Sequence, residues 1–276
     1  RPIYDATDGL DGWVSLEVSP LLADNTASTI ESAVQLHQSA NKPNLYIKIP
    51  GTPAGVKAIE ESIFRGVPIN VTLLFSREQY VAAAEAYLRG IERRLAAGLD
   101  PKVSSVASLF VSRWDKAASD GPVGAALPAA LRNRLGIAVA QQTYCAYRSL
   151  LDSPRWQKLA AAGAVMQRLL WASTGTKDPQ ASDILYIEAL AAPATINTIP
   201  EKTLQAFADH GKAAAVLAAD GGHAKATLQQ FRSAGVDPDT LALRLQVEGA
   251  ESFAASWRAL LARIQEKSAS LAGSAT

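Results

Sequence analysis

Cysteine, histidine and methionine are scarce in this chain: one Cys, three His and one Met in 276 residues. A single thiol, Cys145, excludes an internal disulfide and fits a reducing compartment. It lies in a helix-like run with no Cys or His nearby, so a packing role is expected. His37, His210 and His223 fall on predicted helices without a ligand-spaced partner, so no metal centre is expected. "DATDGLDG" near the start has carboxylates and glycines but not the spacing of a calcium loop. Excess charge is lacking too. With 27 basic against 26 acidic residues and no Lys/Arg-rich run, there is no electrostatic footprint for nucleic acid. No apolar run approaches the ~18 residues of a membrane span, and no signal peptide opens the chain, so a cytoplasmic protein away from the membrane is the expectation. Neither G-x-G-x-x-G nor a P-loop occurs, which removes the usual nucleotide signatures.

What the chain does hold is an ordinary globular balance, 48% apolar and 19% charged, enough for one barrel-sized domain over 1–276 with a full core. Its organising stretch is Leu45–Ser76, "LYIKIPGTPAGVKAIEESIFRGVPINVTLLFS". Leu45–Ile49 is a short apolar run stopped by Pro50-Gly51. Thr52-Pro53 starts a helix with threonine as N-cap and proline at the first position, where a missing N–H costs nothing. Val56, Ile59 and Ile63 share one helical face, and Arg65-Gly66 ends it. In the next run, Val67–Phe75, Asn70 and Thr72 are two apart and point to one side of a strand. Strand, helix and strand of these lengths make a right-handed βαβ unit with parallel strands. Lys48 inside the first strand is then the anomaly. An unpaired buried ammonium is costly, so such a lysine either snorkels to solvent or sits neutral, and a neutral amine is what a Schiff-base nucleophile needs.

The rest alternates in the same way. Strands are expected at Gly12–Val18, Ser105–Val111, Gln167–Ala172 and Ala194–Thr198, giving six with the central pair. Helices are expected at Thr26–Ala40 and from the capping box Ser76–Gln79 to about Ala97, then at Ala129–Leu151, Arg155–Ala162, Ser182–Leu190 and Pro200–His210. Thr227–Ala234, Asp239–Gln246 and Gly249 to about Leu271 close the chain as three more. The last carries an apolar stripe, Ala250, Phe253, Trp257, Leu261 and Ile264, for packing across the domain. "SASLAGSAT" after it reads as a frayed tail or linker. The alternation implies a parallel α/β domain, but periodicity does not separate a closed barrel from an open doubly wound sheet.

Polar residues stand at nearly every strand end: Glu17, Lys48, Asn70 with Thr72, Ser108 with Arg113, and Ser173. Singly, each has an ordinary reading. Glu17 suits a solvated strand end, and Arg113 suits a surface pair with Asp115. Together, a lysine, a carboxylate, hydroxyls and an arginine suit carbon–carbon chemistry on a phosphorylated sugar.

"IKIPGTPAGVKAIEE…G…INVTLLFS" closely resembles the Schiff-base segment of the transaldolase family, and the likeness continues at "SLEVSP", "SLFVSRWD", "LLWASTGTKDP" and "TINTIPEKTL". It spans nearly the whole chain and is most like the longer bacterial form, which also occurs fused to a glucose-6-phosphate isomerase. The resemblance implies an α/β fold of the TIM (β/α)8 type, with strands three to eight in this chain. It also implies transfer of a three-carbon dihydroxyacetone unit between sugar phosphates in the pentose phosphate pathway, without a cofactor. By the matching positions, Lys48 is the Schiff-base lysine, and Glu17 relays protons through a water held by Thr72. Asn70, Ser108, Phe110, Arg113 and Ser173 contact substrate, with Arg113 on its phosphate.

Two departures stand out. The chain opens at Arg1 as if mid-domain, so the family's first-strand acid/base aspartate and second-strand asparagine have no counterpart. Gly175 stands where many members have a phosphate-binding arginine; Lys177 is the candidate replacement. Two alternatives follow: a Schiff-base aldolase that releases the three-carbon ketone, or an inactive fragment needing the missing strands from a separate N-terminal segment.

Overall fold

The computed structural model describes residues 1–212 and 216–273. Six strands form one sheet: β1 (Val14–Glu17), β2 (Leu45–Pro50), β3 (Ile69–Leu74), β4 (Ser105–Phe110), β5 (Gln167–Ala172) and β6 (Thr195–Asn197). They lie in chain order and every neighbouring pair is parallel. A doubly wound sheet would reverse its strand order at a switch point; this one does not. Around it run α1 (Pro2–Ala6), α2 (Thr26–Ala40), α3 (Pro53–Phe64), α4 (Arg77–Ala96), α5 (Ser112–Ser119) and α6 (Gly121–Ala125). Then follow α7 (Leu135–Leu151), α8 (Pro154–Ala161), α9 (Leu185–Ala189), α10 (Glu201–His210), α11 (Ala224–Ser233) and α12 (Pro238–Gly273).

Alternation along each strand divides the sheet into two faces. Leu45, Ile47, Ile49, Ile69, Val71, Ala107, Leu109, Leu169 and Trp171 join one core cluster with α3 and α4. Tyr46, Val106, Phe110, Leu170 and Ala172 join a second, with residues of α7, α11 and α12. Lys48, Asn70 and Ser108 lie on that second face by the same alternation.

The central unit forms as its sequence dictates. Thr52 Oγ1 accepts from Gly55 N at 3.1 Å, Pro53 opens α3, and Ile59 and Ile63 are fully buried. A side chain at residue 55 would come within 1.8 Å of the Pro50 carbonyl oxygen, so the strand-to-helix turn requires glycine there. Ser76 and Gln79 make the expected capping box at the start of α4.

Three expectations fail for physical reasons. Residues 238–273 form one continuous helix rather than two, and that helix also takes in 268–273 of the expected tail. Ser274–Thr276 lie outside the described residues. Gly249 does not break α12 because its bare backbone is packed against Leu73 and Arg113. The helix expected from Ala129 begins only at Leu135, after Asn133 in the left-handed region (φ 57°). The stretch after β4, for which no helix is expected before Ala129, folds into α5 and α6.

Among the described residues β1 and β6 each pair on one side only. Val14 and Leu16, on the outward side of β1, are left 60% and 42% exposed.

Candidate active site

The βα geometry brings Glu17, Lys48, Asn70 and Ser108 onto one face, the first three in register. Glu17 is paired with Lys48 across β1 and β2, and Lys48 with Asn70 across β2 and β3. Glu17 Oε2 lies 3.8 Å from Lys48 Nζ. The lysine is therefore neither unpaired nor sealed from solvent: it reaches the mouth of the sheet beside a carboxylate. Burial pushes the Glu17 carboxyl above its ordinary range, with the Lys48 charge partly opposing that. A carboxyl so placed keeps its proton to higher pH than a solvated one, which suits proton exchange with the adjacent amine.

Below this pair a ladder of hydrogen bonds fixes the neighbours. Ser108 Oγ donates to Asn70 Oδ1 at 2.7 Å, and Asn70 Nδ2 donates to Ser15 Oγ at 2.9 Å. Both faces of the Asn70 amide are thereby assigned. Ser15 was not singled out in the sequence; its place two residues before Glu17, on the same strand face, is the signal that could have found it. Thr72 is fully buried, and its Oγ1 has no hydrogen-bond partner among the described residues. A buried hydroxyl without a partner is uncommon and is a natural seat for a water. Just after it Leu73 takes φ 57° and the register shifts between Val71 and Leu74, an irregularity at the end of a strand that carries site residues.

Arg113, in the first turn of α5, extends over two aromatic rings. Its Cζ lies 5.1 Å from the Phe110 centroid and 5.8 Å from that of Phe253. It makes no ion pair among the described residues, and partial burial lowers its pKa. The surface pair with Asp115 does not form. Asp115 is 4% exposed, points the other way, and accepts from Leu135 N, Gly136 N and Tyr186 Oη at 2.8, 3.2 and 2.8 Å. Ser173, just past β5 with φ 56°, bonds through Oγ to Ser112 Oγ at 3.0 Å, and its carbonyl accepts from Ser112 N at 3.0 Å. It thus braces the residue before Arg113. Lys177 lines a different cavity of about 550 Å³, with Asp115, Lys116 and Arg132.

The remaining candidates stay apart from this cluster. Cys145 is half-buried on α7, and His210 pairs with Asp183 at 3.0 Å on the surface. Among the described residues no group of three or more His, Cys, Asp or Glu converges as a metal would require. No described helix is long and apolar enough to cross a membrane.

Residues 1–264 match the family described as transaldolase/fructose-6-phosphate aldolase. The chain belongs to that family. It is 46% identical to a transaldolase of Parafrankia sp. over 99% of this chain and 75% of the relative. Identity is also 46% to a transaldolase of Mycolicibacterium smegmatis, over 94% and 71% of the two chains. To transaldolase 2 of Nostoc punctiforme it is 42%, over 97% and 74%. The chain thus spans about three-quarters of these relatives' length. Lys48 and Glu17 thus sit side by side on neighbouring strands, and Arg113 follows the end of β4, two strands from Lys48.

Proposed function

We propose that the protein is a transaldolase working through a Schiff base on Lys48. The observation that carries this reading is the Glu17–Lys48 pair at 3.8 Å, with Arg113 after β4 making no ion pair among the described residues. Lys48 Nζ attacks the ketone carbon of a ketose phosphate, fructose 6-phosphate or sedoheptulose 7-phosphate, and water leaves to give an iminium. The iminium draws electrons from the neighbouring carbon–carbon bond, which breaks to release an aldose phosphate. The three-carbon enamine left on Lys48 then adds to a second aldehyde, glyceraldehyde 3-phosphate or erythrose 4-phosphate. Glu17 exchanges protons with the nitrogen, through a water held at Thr72. Asn70, Ser108 and Ser173 orient hydroxyl groups, Phe110 forms a wall, and the Arg113 fork takes the phosphate.

We further propose that the open edges of β1 and β6 belong to a (β/α)8 barrel closed by two more strands. A covering layer accounts for the exposed Val14 and Leu16, and unpaired strand edges are an aggregation hazard. Those strands would also supply an acid/base for the bond-breaking step.

The test is a transfer assay with fructose 6-phosphate as donor and erythrose 4-phosphate as acceptor. Sedoheptulose 7-phosphate should form, and Lys48→Arg should abolish it while leaving the fold intact, because arginine forms no Schiff base at neutral pH. Free dihydroxyacetone as the main product would favour the aldolase reading instead.

A further inference from the structure

Three residues of α12 lie on one helix face, at i, i+3 and i+7, and all meet the strand ends that carry the site. Gln246 is buried, and its Nε2 donates to the carbonyls of Gly51 at 3.0 Å and Leu73 at 2.9 Å. Those carbonyls close the strands of Lys48 and Thr72. Gly249 sits so tightly that a Cβ would fall 2.9 Å from Leu73 Cδ2 and 3.5 Å from Arg113 Nη1. Phe253 then brings its ring within reach of both cations, its centroid 5.8 Å from Lys48 Nζ and 5.8 Å from Arg113 Cζ. One turn on, Trp257 shares with Phe253 and Glu17 a cavity of about 410 Å³. The helix is thus pinned to the strand ends, and it carries Phe253 to the Lys48 amine.

We propose that Phe253 faces the substrate and keeps water from the carbon nucleophile carried by Lys48, so that it sets the partition between transfer and release. This rests on the Schiff-base reading above. The three-carbon enamine has two fates. In transfer, its carbon bonds to the acceptor's carbonyl carbon, the carbonyl oxygen takes a proton, and the resulting iminium is hydrolysed to the new ketose. In release, the same carbon takes a proton from water, and the iminium is hydrolysed to dihydroxyacetone and the free Lys48 amine. Neither route needs an oxidant or a reductant; they differ in what reaches the carbon first. A ring 5.8 Å from both the lysine nitrogen and the guanidinium borders the path of a sugar chain joining the two. Its face attracts the cationic ends and excludes water between them.

The test uses the active enzyme with Phe253→Ala and Phe253→Leu. Dihydroxyacetone released is measured against three-carbon units transferred, with borohydride trapping at Lys48 in parallel. The Ala variant should release several-fold more per transfer while still being trapped at Lys48. The Leu variant, which keeps bulk without a π face, should fall between, and it supplies the readout if the Ala variant fails to fold. Trapping at Lys48 with an unchanged ratio overturns this inference alone. Wild-type protein that is not trapped at Lys48 overturns the inference together with the reading on which it rests.

Discussion

At the scale of single residues, charge and partnership decide the site. Lys48 and Glu17 each stand out in the sequence as polar strand-end residues, but their pairing does not, since they are 31 positions apart and only the β1–β2 register joins them. The reverse holds for Arg113 and Asp115. Their closeness in sequence suggested a pair, and burial separates them: the carboxylate turns inward to backbone N–H groups while the guanidinium stays over aromatic rings. Phe253 read only as part of a packing stripe, because nothing in helical spacing reveals what a face packs against. For Arg113 the consequence is measurable. Arg113→Ala should raise KM for fructose 6-phosphate by about 30-fold, the equivalent of ~2 kcal/mol for a charge-assisted contact, and leave KM for unphosphorylated dihydroxyacetone nearly unchanged. Steady-state kinetics on both compounds checks this; equal effects would make the residue structural.

At the scale of elements, strands and their helices were largely legible. Caps at Thr52 and Ser76 and alternation around Lys48 and Asn70 are local properties. What escaped depends on distant contacts. The start of α7 at Leu135 is fixed by the Asp115 carboxylate arriving from α5, while Tyr186 of α9 donates to the same group. Three elements around Arg113 therefore share one buried carboxyl, and burial raises its pKa from 3.8 to about 6. The folded state holds this proton more tightly than the unfolded chain does. Stability should thus be higher below pH 4 as far as this group is concerned, fall as pH rises from about 4 to about 6, and stay lower above. The whole change amounts to ~3 kcal/mol. Urea unfolding across that range should show the fall in the wild type and lose its Asp115 component in Asp115→Asn. An identical pH profile in the variant would mean that the carboxyl is already ionised in the fold at low pH.

At the scale of the whole molecule, alternation yielded a parallel α/β sheet, and the strand order supports a singly wound one. Closure was not legible from periodicity, because barrel and open sheet share the same local pattern; it entered only through family resemblance. If β1 and β6 are edges of a barrel, a segment supplying two further strands should raise the turnover of this 276-residue chain by ~10²–10⁴-fold, the usual worth of a positioned acid/base. Activity with and without that segment, on protein of verified mass, measures it, and full activity of the chain alone would mean that the acid/base lies among its own residues. Borohydride is added to the protein during incubation with fructose 6-phosphate, and the modified peptide is mapped by mass spectrometry. One reduced three-carbon or sugar adduct is expected, on Lys48. An adduct on Lys57 or Lys177 instead, or none while turnover continues, would contradict it.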